Sequence, residues 1–79
     1  MPNRARLKRA ILEVVENQLR DDTPPETRQT LDRLLAAGYS RQQAVEMIAS
    51  AVASEIWHIG HEREQYNAER YKAALKALG

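Results

Sequence analysis

His58 and His61 are the two histidines of the chain and its most evident candidates for metal chemistry. Glu55 lies one helical turn before His58, and Glu62 follows His61 directly. On a continuous helix, positions 55, 58 and 62 would share one face, and a divalent metal ion needs three or more such ligands. Gly60 stands between the histidines, and we expect it to end the helix there. We therefore predict no bound metal or cofactor, and we keep metal binding through His58 and His61 as a second alternative function.

Motifs for catalysis are missing from the sequence. The chain has no cysteine, so it offers no thiolate nucleophile and no disulfide framework. It contains no glycine-rich phosphate loop and no Ser, His and acid spacing that stands out. No pair of carboxylates lies in the apolar setting that separates two pKa values for acid and base work. We predict a protein that is not an enzyme and has no catalytic residues.

The formal net charge of +1 hides an uneven distribution of charge along the chain. Residues 1–9 carry four basic side chains and no acid, which we call the basic tip: Arg4, Arg6, Lys8 and Arg9. The rest of the chain has more acids than bases. Four charges without an interleaved aromatic predict only weak, salt-sensitive attraction to an anionic surface. The first alternative function is therefore a nucleic-acid-associated protein, and a solvated, frayed helix start is the structural alternative.

The compartment is predicted from what the sequence lacks. No apolar run approaches the roughly 20 residues that a membrane span needs. The start of the chain is basic, but Glu13 and Glu16 interrupt the stretch that a signal peptide would keep apolar. The absence of cysteine agrees with a reducing environment. We predict a soluble, cytoplasmic protein that does not bind a membrane.

Helical periodicity accounts for the first half of the chain. Helix 1 is predicted from Asn3 to Leu19, because apolar residues recur at spacings of three and four: Leu7, Ile11, Val14, Val15 and Leu19. Thr23-Pro24-Pro25-Glu26 predicts the start of helix 2 as a capping box, with the Thr23 hydroxyl accepting from a free backbone N–H. The apolar stripe of helix 2 consists of Leu31, Leu34 and Leu35.

A tight corner is predicted between helices 2 and 3. Gly38 follows helix 2 where a left-handed residue commonly ends a helix. Ser40 and Gln43 form a capping box that opens helix 3. Apolar residues cover most of the circumference of helix 3, which we expect to end near Gly60.

Helix 4 completes the predicted architecture. Asn67 is expected to cap it, with Tyr66 packing on Tyr71, and its apolar stripe consists of Tyr71, Ala74, Leu75 and Leu78. No segment alternates in the manner of a β-strand. The sequence thus predicts an all-α fold, a single small domain over residues 1–79, made of four helices with a central buried third helix.

The C-terminal part of helix 3 is the predicted contact surface. Ile56, Trp57 and Ile59 lie beside a polar loop and face only the short helix 4, so we expect them to be incompletely covered. Trp57 has two interpretations, as ordinary core or as an anchor for a partner. A chain of 79 residues gains much from association. We predict a non-enzymatic interaction or structural module that forms a homodimer with Trp57 near the interface.

Several short segments occur together in a recognisable order. They are Glu16-Asn17-Gln18-Leu19, Pro24-Pro25-Glu26, Ala37-Gly38-Tyr39-Ser40, Ser54-Glu55-Ile56-Trp57 and Tyr66-Asn67-Ala68-Glu69-Arg70-Tyr71. In this order they resemble a bacterial family of short helical proteins described only as a domain of unknown function. The resemblance implies a helical fold and a cytoplasmic location, and no activity. Members of that family often carry histidines near the start of helix 1 and in helix 3, where this chain has Arg9 to Leu12 and Arg41 to Ala44.

Overall fold

A computed structural model describes residues 4–79 of the chain. They form four α-helices: α1 (Arg4–Asp21), α2 (Pro25–Ala36), α3 (Arg41–His61) and α4 (Ala68–Lys76). α3 packs against each of the other three helices, and residues 4–79 contain no β-strand. The predicted all-α fold with a central third helix is confirmed. Asn3, where helix 1 was predicted to begin, lies outside the described residues.

The core is built from one face of each helix. Its buried apolar members are Ile11, Val15, Leu19, Leu31, Leu34, Ala44, Val45, Ile48, Ala51, Val52, Tyr71 and Leu75. Leu7 and Val14 share the predicted face of α1, yet they are 57% and 39% exposed. Leu7 lies beside Ala49 and Ala53, whose short side chains cover little of it.

The start of α2 differs from the prediction. The N-cap residue is Pro24 and not Thr23, and it makes no side-chain cap hydrogen bond. The Thr23 hydroxyl instead donates to the carbonyl oxygen of Asp21 at 3.1 Å. The reason is steric, since a proline forces the residue before it into an extended conformation. Pro24 precedes Pro25, so it cannot be the first helical residue, and the capping-box spacing to Glu26 is lost.

The corner between α2 and α3 has the predicted geometry. Gly38 has a φ of 103°, and its N–H donates to Leu35 O at 3.0 Å. The N–H of Tyr39 donates to Leu34 O at 3.1 Å, which completes a Schellman motif. Ser40 Oγ accepts from the N–H of Gln43 at 3.0 Å, and Gln43 Oε1 accepts from the N–H of Ser40 at 2.9 Å. The second predicted capping box is therefore confirmed.

The end of α3 lies near Gly60 as predicted, but the glycine does not stop the helix between the two histidines. The helix continues through Gly60 to His61, and the N–H of Glu62 still donates to His58 O at 3.1 Å. A glycine inside a helix lowers the stability of the helix by only about 1 kcal/mol relative to alanine, so the hydrogen bonds on either side can keep the helix intact. The chain leaves the helix at Arg63, which has a φ of 54°. His58 and Glu62 consequently lie one turn apart on the same helical face.

α4 begins as predicted, with Asn67 Oδ1 accepting from the N–H of Arg70 at 3.0 Å. Tyr71 and Leu75 are buried, whereas Tyr66 remains 57% exposed. Within residues 4–79, no helix is both long enough and apolar enough to cross a membrane.

Candidate functional site

An apolar groove lies between α1, α3 and the segment that precedes α4. Its volume is about 220 Å³, and we define it by the residues that line it: Val14, Gln18, Val52, Glu55, Ile56, Ile59, Tyr66 and Tyr71. Val14, Ile56, Ile59 and Tyr66 are each more than one-third exposed. The groove therefore presents apolar side chains of α1, of α3 and of the segment before α4 to solvent.

Two of the three residues of the predicted contact surface line this groove, and the third lies outside it. Ile56 and Ile59 form its wall and are 45% and 40% exposed. Trp57 lies on the neighbouring side of α3, outside the groove, and is 49% exposed. Its interpretation as ordinary core does not agree with this exposure. Partner binding through these residues stays a prediction.

The polar groups at the floor of the groove already have partners. Gln18 Oε1 accepts from Thr27 Oγ1 at 2.7 Å and from Tyr71 Oη at 2.8 Å. Burial raises the pKa of the Tyr71 hydroxyl, so this group stays neutral and remains a donor at physiological pH. The hydrogen bonds link α1, α2 and α4. A ligand in the groove would thus find mainly apolar contacts.

The charged group that lines the groove, Glu55, is buried and fully paired. It is 5% exposed, and Arg70 donates to both of its oxygens, from Nε at 2.8 Å and from Nη2 at 2.8 Å. The backbone N–H of Asn67 donates to Glu55 Oε1 at 2.9 Å. Hydrogen bonds from Arg70 hold the pKa of Glu55 below its ordinary value, against the opposing effect of burial. The carboxylate that we considered as a metal ligand is therefore committed to the fold.

Sequence reasoning missed this ion pair, although one signal was present. Glu55 is an acid within an apolar stretch of α3, between Val52 and Ile56 and one turn before Ile59. A charge on a buried face needs a partner. Arg70, near the start of the next helix, supplies it.

Both histidines contact Trp57, but only His58 also lies close to two acids. The ring of His61 stacks on Trp57, with centroids 5.0 Å apart and planes inclined by 13°. His58 meets the Trp57 ring edge-on at a centroid distance of 5.3 Å. Among residues 4–79, the group with metal-ligating spacing consists of His58, Glu62 and Glu64, whose ligand atoms all lie within 4.8 Å of one another. The structure thus groups His58 with two glutamates, and this group does not include His61.

The basic tip forms the first turns of α1. All four of its side chains are exposed. Lys8 Nζ lies 3.4 Å from Glu46 Oε1 on α3. An acid therefore stands next to the tip and offsets part of its positive potential.

Comparisons of the chain with protein-family models, with curated proteins and with solved structures find no match. The resemblance to a family of short helical proteins stays an expectation. Function must consequently be inferred from the surfaces described above.

Proposed function

We propose that this protein is a non-enzymatic interaction module that pairs with a second copy of itself through the apolar groove and the adjacent Trp57. The observation that carries the proposal is the exposure of Ile56, Trp57 and Ile59, at 40–49% each, on one end of one helix. Exposed large apolar side chains mark contact sites where they gather on a surface, and tryptophan is a common energetic anchor in interfaces.

The chemistry of the groove favours an apolar and uncharged occupant. Glu55 is the charged residue among those that line it, and Arg70 neutralises it. The hydroxyl groups of Thr27 and Tyr71 are engaged with Gln18. Binding energy here would come from burying apolar area, at about 25 cal/mol per Å². A nucleic acid or a charged peptide would gain little from this surface.

A second copy of the chain has the required chemistry. A two-fold interface uses the same patch on both partners, so the patch must contain both a recess and a projection that fits it. The groove supplies the recess, and Trp57, which follows Ile56 on α3 and is half-exposed, supplies the projection. Pairing would cover the exposed apolar side chains of both copies at once. It would also add stability to a chain whose own core is small.

Matched substitutions test where the copies meet. Ile59 in the groove and Leu35 on α2 are both 40% exposed, so a lysine at either position replaces a similar apolar surface. We expect Ile59→Lys to convert a dimer to a monomer and Leu35→Lys to leave the dimer intact. Size-exclusion chromatography with light scattering at micromolar concentration gives the mass. A dimer that persists in Ile59→Lys would contradict the proposed interface.

The alternative of a nucleic-acid-associated protein depends on a different surface. It would use the exposed basic tip, and its attraction would decline steeply with salt. Retention on immobilised DNA and RNA at low salt, compared between wild type and an Arg4→Gln, Arg9→Gln variant, tests this alternative. Strong retention lost in the variant would favour it over self-association.

A further inference from the structure

One nitrogen of His58 is buried next to acids without a hydrogen bond. Nδ1 is inaccessible to solvent and has no hydrogen-bond partner among the described residues. It lies 3.3 Å from Glu62 Oε1, within ion-pair range, but the arrangement lacks the geometry of a hydrogen bond. A buried polar atom without a hydrogen-bond partner is costly, and coordination of a metal ion is one arrangement that satisfies it.

The backbone at the end of α3 brings a second carboxylate to the same place. Glu62 follows His58 by one turn because the helix continues through Gly60. Arg63 then adopts a left-handed conformation, with a φ of 54°, and redirects the chain. As a result, Glu64 has a carboxylate oxygen within 4.8 Å of the ligand atoms of His58 and Glu62.

These three side chains fit the requirements of a transition metal ion. One imidazole and two carboxylates are ligands that zinc accepts, and a fourth position remains for water. Two ligands at about 2.0–2.1 Å from a tetrahedral zinc ion lie roughly 3.3–3.4 Å apart, which agrees with the observed separation of 3.3 Å between His58 and Glu62. From this geometry we propose that His58, Glu62 and Glu64 bind one divalent zinc ion.

Arg70 is the nearby cation that the site must accommodate. Its Nη1 pairs with Glu64 Oε2, while its Nε and Nη2 are bonded to Glu55. The charge of Arg70 is therefore balanced by Glu55, and its contact with Glu64 uses one of the two carboxylate oxygens of that residue. The two carboxylates bring two negative charges to the site, which a divalent ion neutralises.

Calorimetric titration of the untagged full chain with zinc chloride tests this site. We expect saturable binding of one zinc ion per chain. His58→Ala and Glu62→Gln should each weaken it by at least about ten-fold, as loss of a metal-site residue typically does. His61→Ala is the matched control, since His61 stacks on Trp57 and lies outside the group, and it should leave the affinity unchanged.

Trp57 provides a second measurement. It is the single tryptophan of the chain, and the His58 ring lies 5.3 Å from it. Cobalt(II), which takes similar ligands, should quench Trp57 emission in wild type and not in Glu62→Gln. Glu62 is exposed, so its conversion to glutamine tests the site even if His58→Ala fails to fold. Absence of saturable zinc binding in wild type, or an equal loss of affinity in His61→Ala, would overturn the proposal.

Discussion

Arg70 donates hydrogen bonds to both carboxylate oxygens of Glu55 and so links the start of α4 to α3. The two contacts are each 2.8 Å long, and the N–H of Asn67 adds a third hydrogen bond at 2.9 Å. The same carboxylate lies at the edge of the apolar groove. The pair thereby fixes α4 in place and keeps an unbalanced charge out of the groove.

The ion pair predicts a specific sensitivity to acid. The pKa of Glu55 is lowered in the folded protein relative to the ordinary glutamate value of about 4.3. The stabilisation is therefore fully present above that ordinary value and is lost as the pH falls through the lower, folded pKa. Chemical denaturation at a series of pH values should show the free energy of unfolding decreasing over this acidic range.

The Arg70→Gln variant should lose most of this pH dependence. Arg41→Gln is the control, because Arg41 makes a similar two-point contact with Glu16 at 2.9 and 3.0 Å. That pair is about half exposed, so solvent screens it and its removal should matter less. An Arg70→Gln variant with the wild-type pH profile would show that Glu55 is not stabilised by Arg70.

Gly38 should resist replacement because of its backbone and not because of crowding. A Cβ at this position meets nothing within 4 Å, but the φ of 103° disfavours branched side chains. We expect Gly38→Val to reduce the free energy of unfolding by about 1–2 kcal/mol. Gly38→Asn should cost less, because asparagine tolerates positive φ better. Equal losses in thermal denaturation of the two variants would contradict this explanation.

Thr27 should contribute stability through its hydroxyl group. It is fully buried and donates to Gln18, so Thr27→Val removes a hydrogen bond while preserving shape. We expect a loss of about 1 kcal/mol in urea denaturation. Thr30→Val is the matched control on α2, because the Thr30 hydroxyl donates only to the carbonyl oxygen of Glu26 within its own helix. A larger loss at Thr30 than at Thr27 would refute the role of the buried network.

Local signals explain which parts of the fold were predictable. The corner at Gly38 and Ser40 was predicted because both caps depend on residues within one turn. The prediction of a Thr23 cap is wrong because Pro25 keeps Pro24 extended, an effect that the capping-box pattern alone does not include. A glycine at position 60 predicts a helix end, but glycine also lies inside a helix when its neighbours keep their hydrogen bonds.

The candidate surfaces were only partly accessible from the sequence. The exposure of Trp57 could be predicted because helix 3 has more apolar residues around its circumference than the other helices can cover. The pair between Glu55 and Arg70 depends on how α4 packs on α3, and no local pattern specifies that. The grouping of His58 with Glu64 depends on the left-handed turn at Arg63, an unusual conformation for a non-glycine residue.

Self-association is the central claim, and a dilution series on the wild-type protein tests it most directly. Sedimentation equilibrium gives the mass and Trp57 emission reports the environment of the interface in the same samples. We predict about twice the chain mass of 9.0 kDa at tens of micromolar, with blue-shifted emission, and a joint change to monomer mass and red-shifted emission on dilution. A mass of 9.0 kDa at every concentration, with constant Trp57 emission, would contradict the claim.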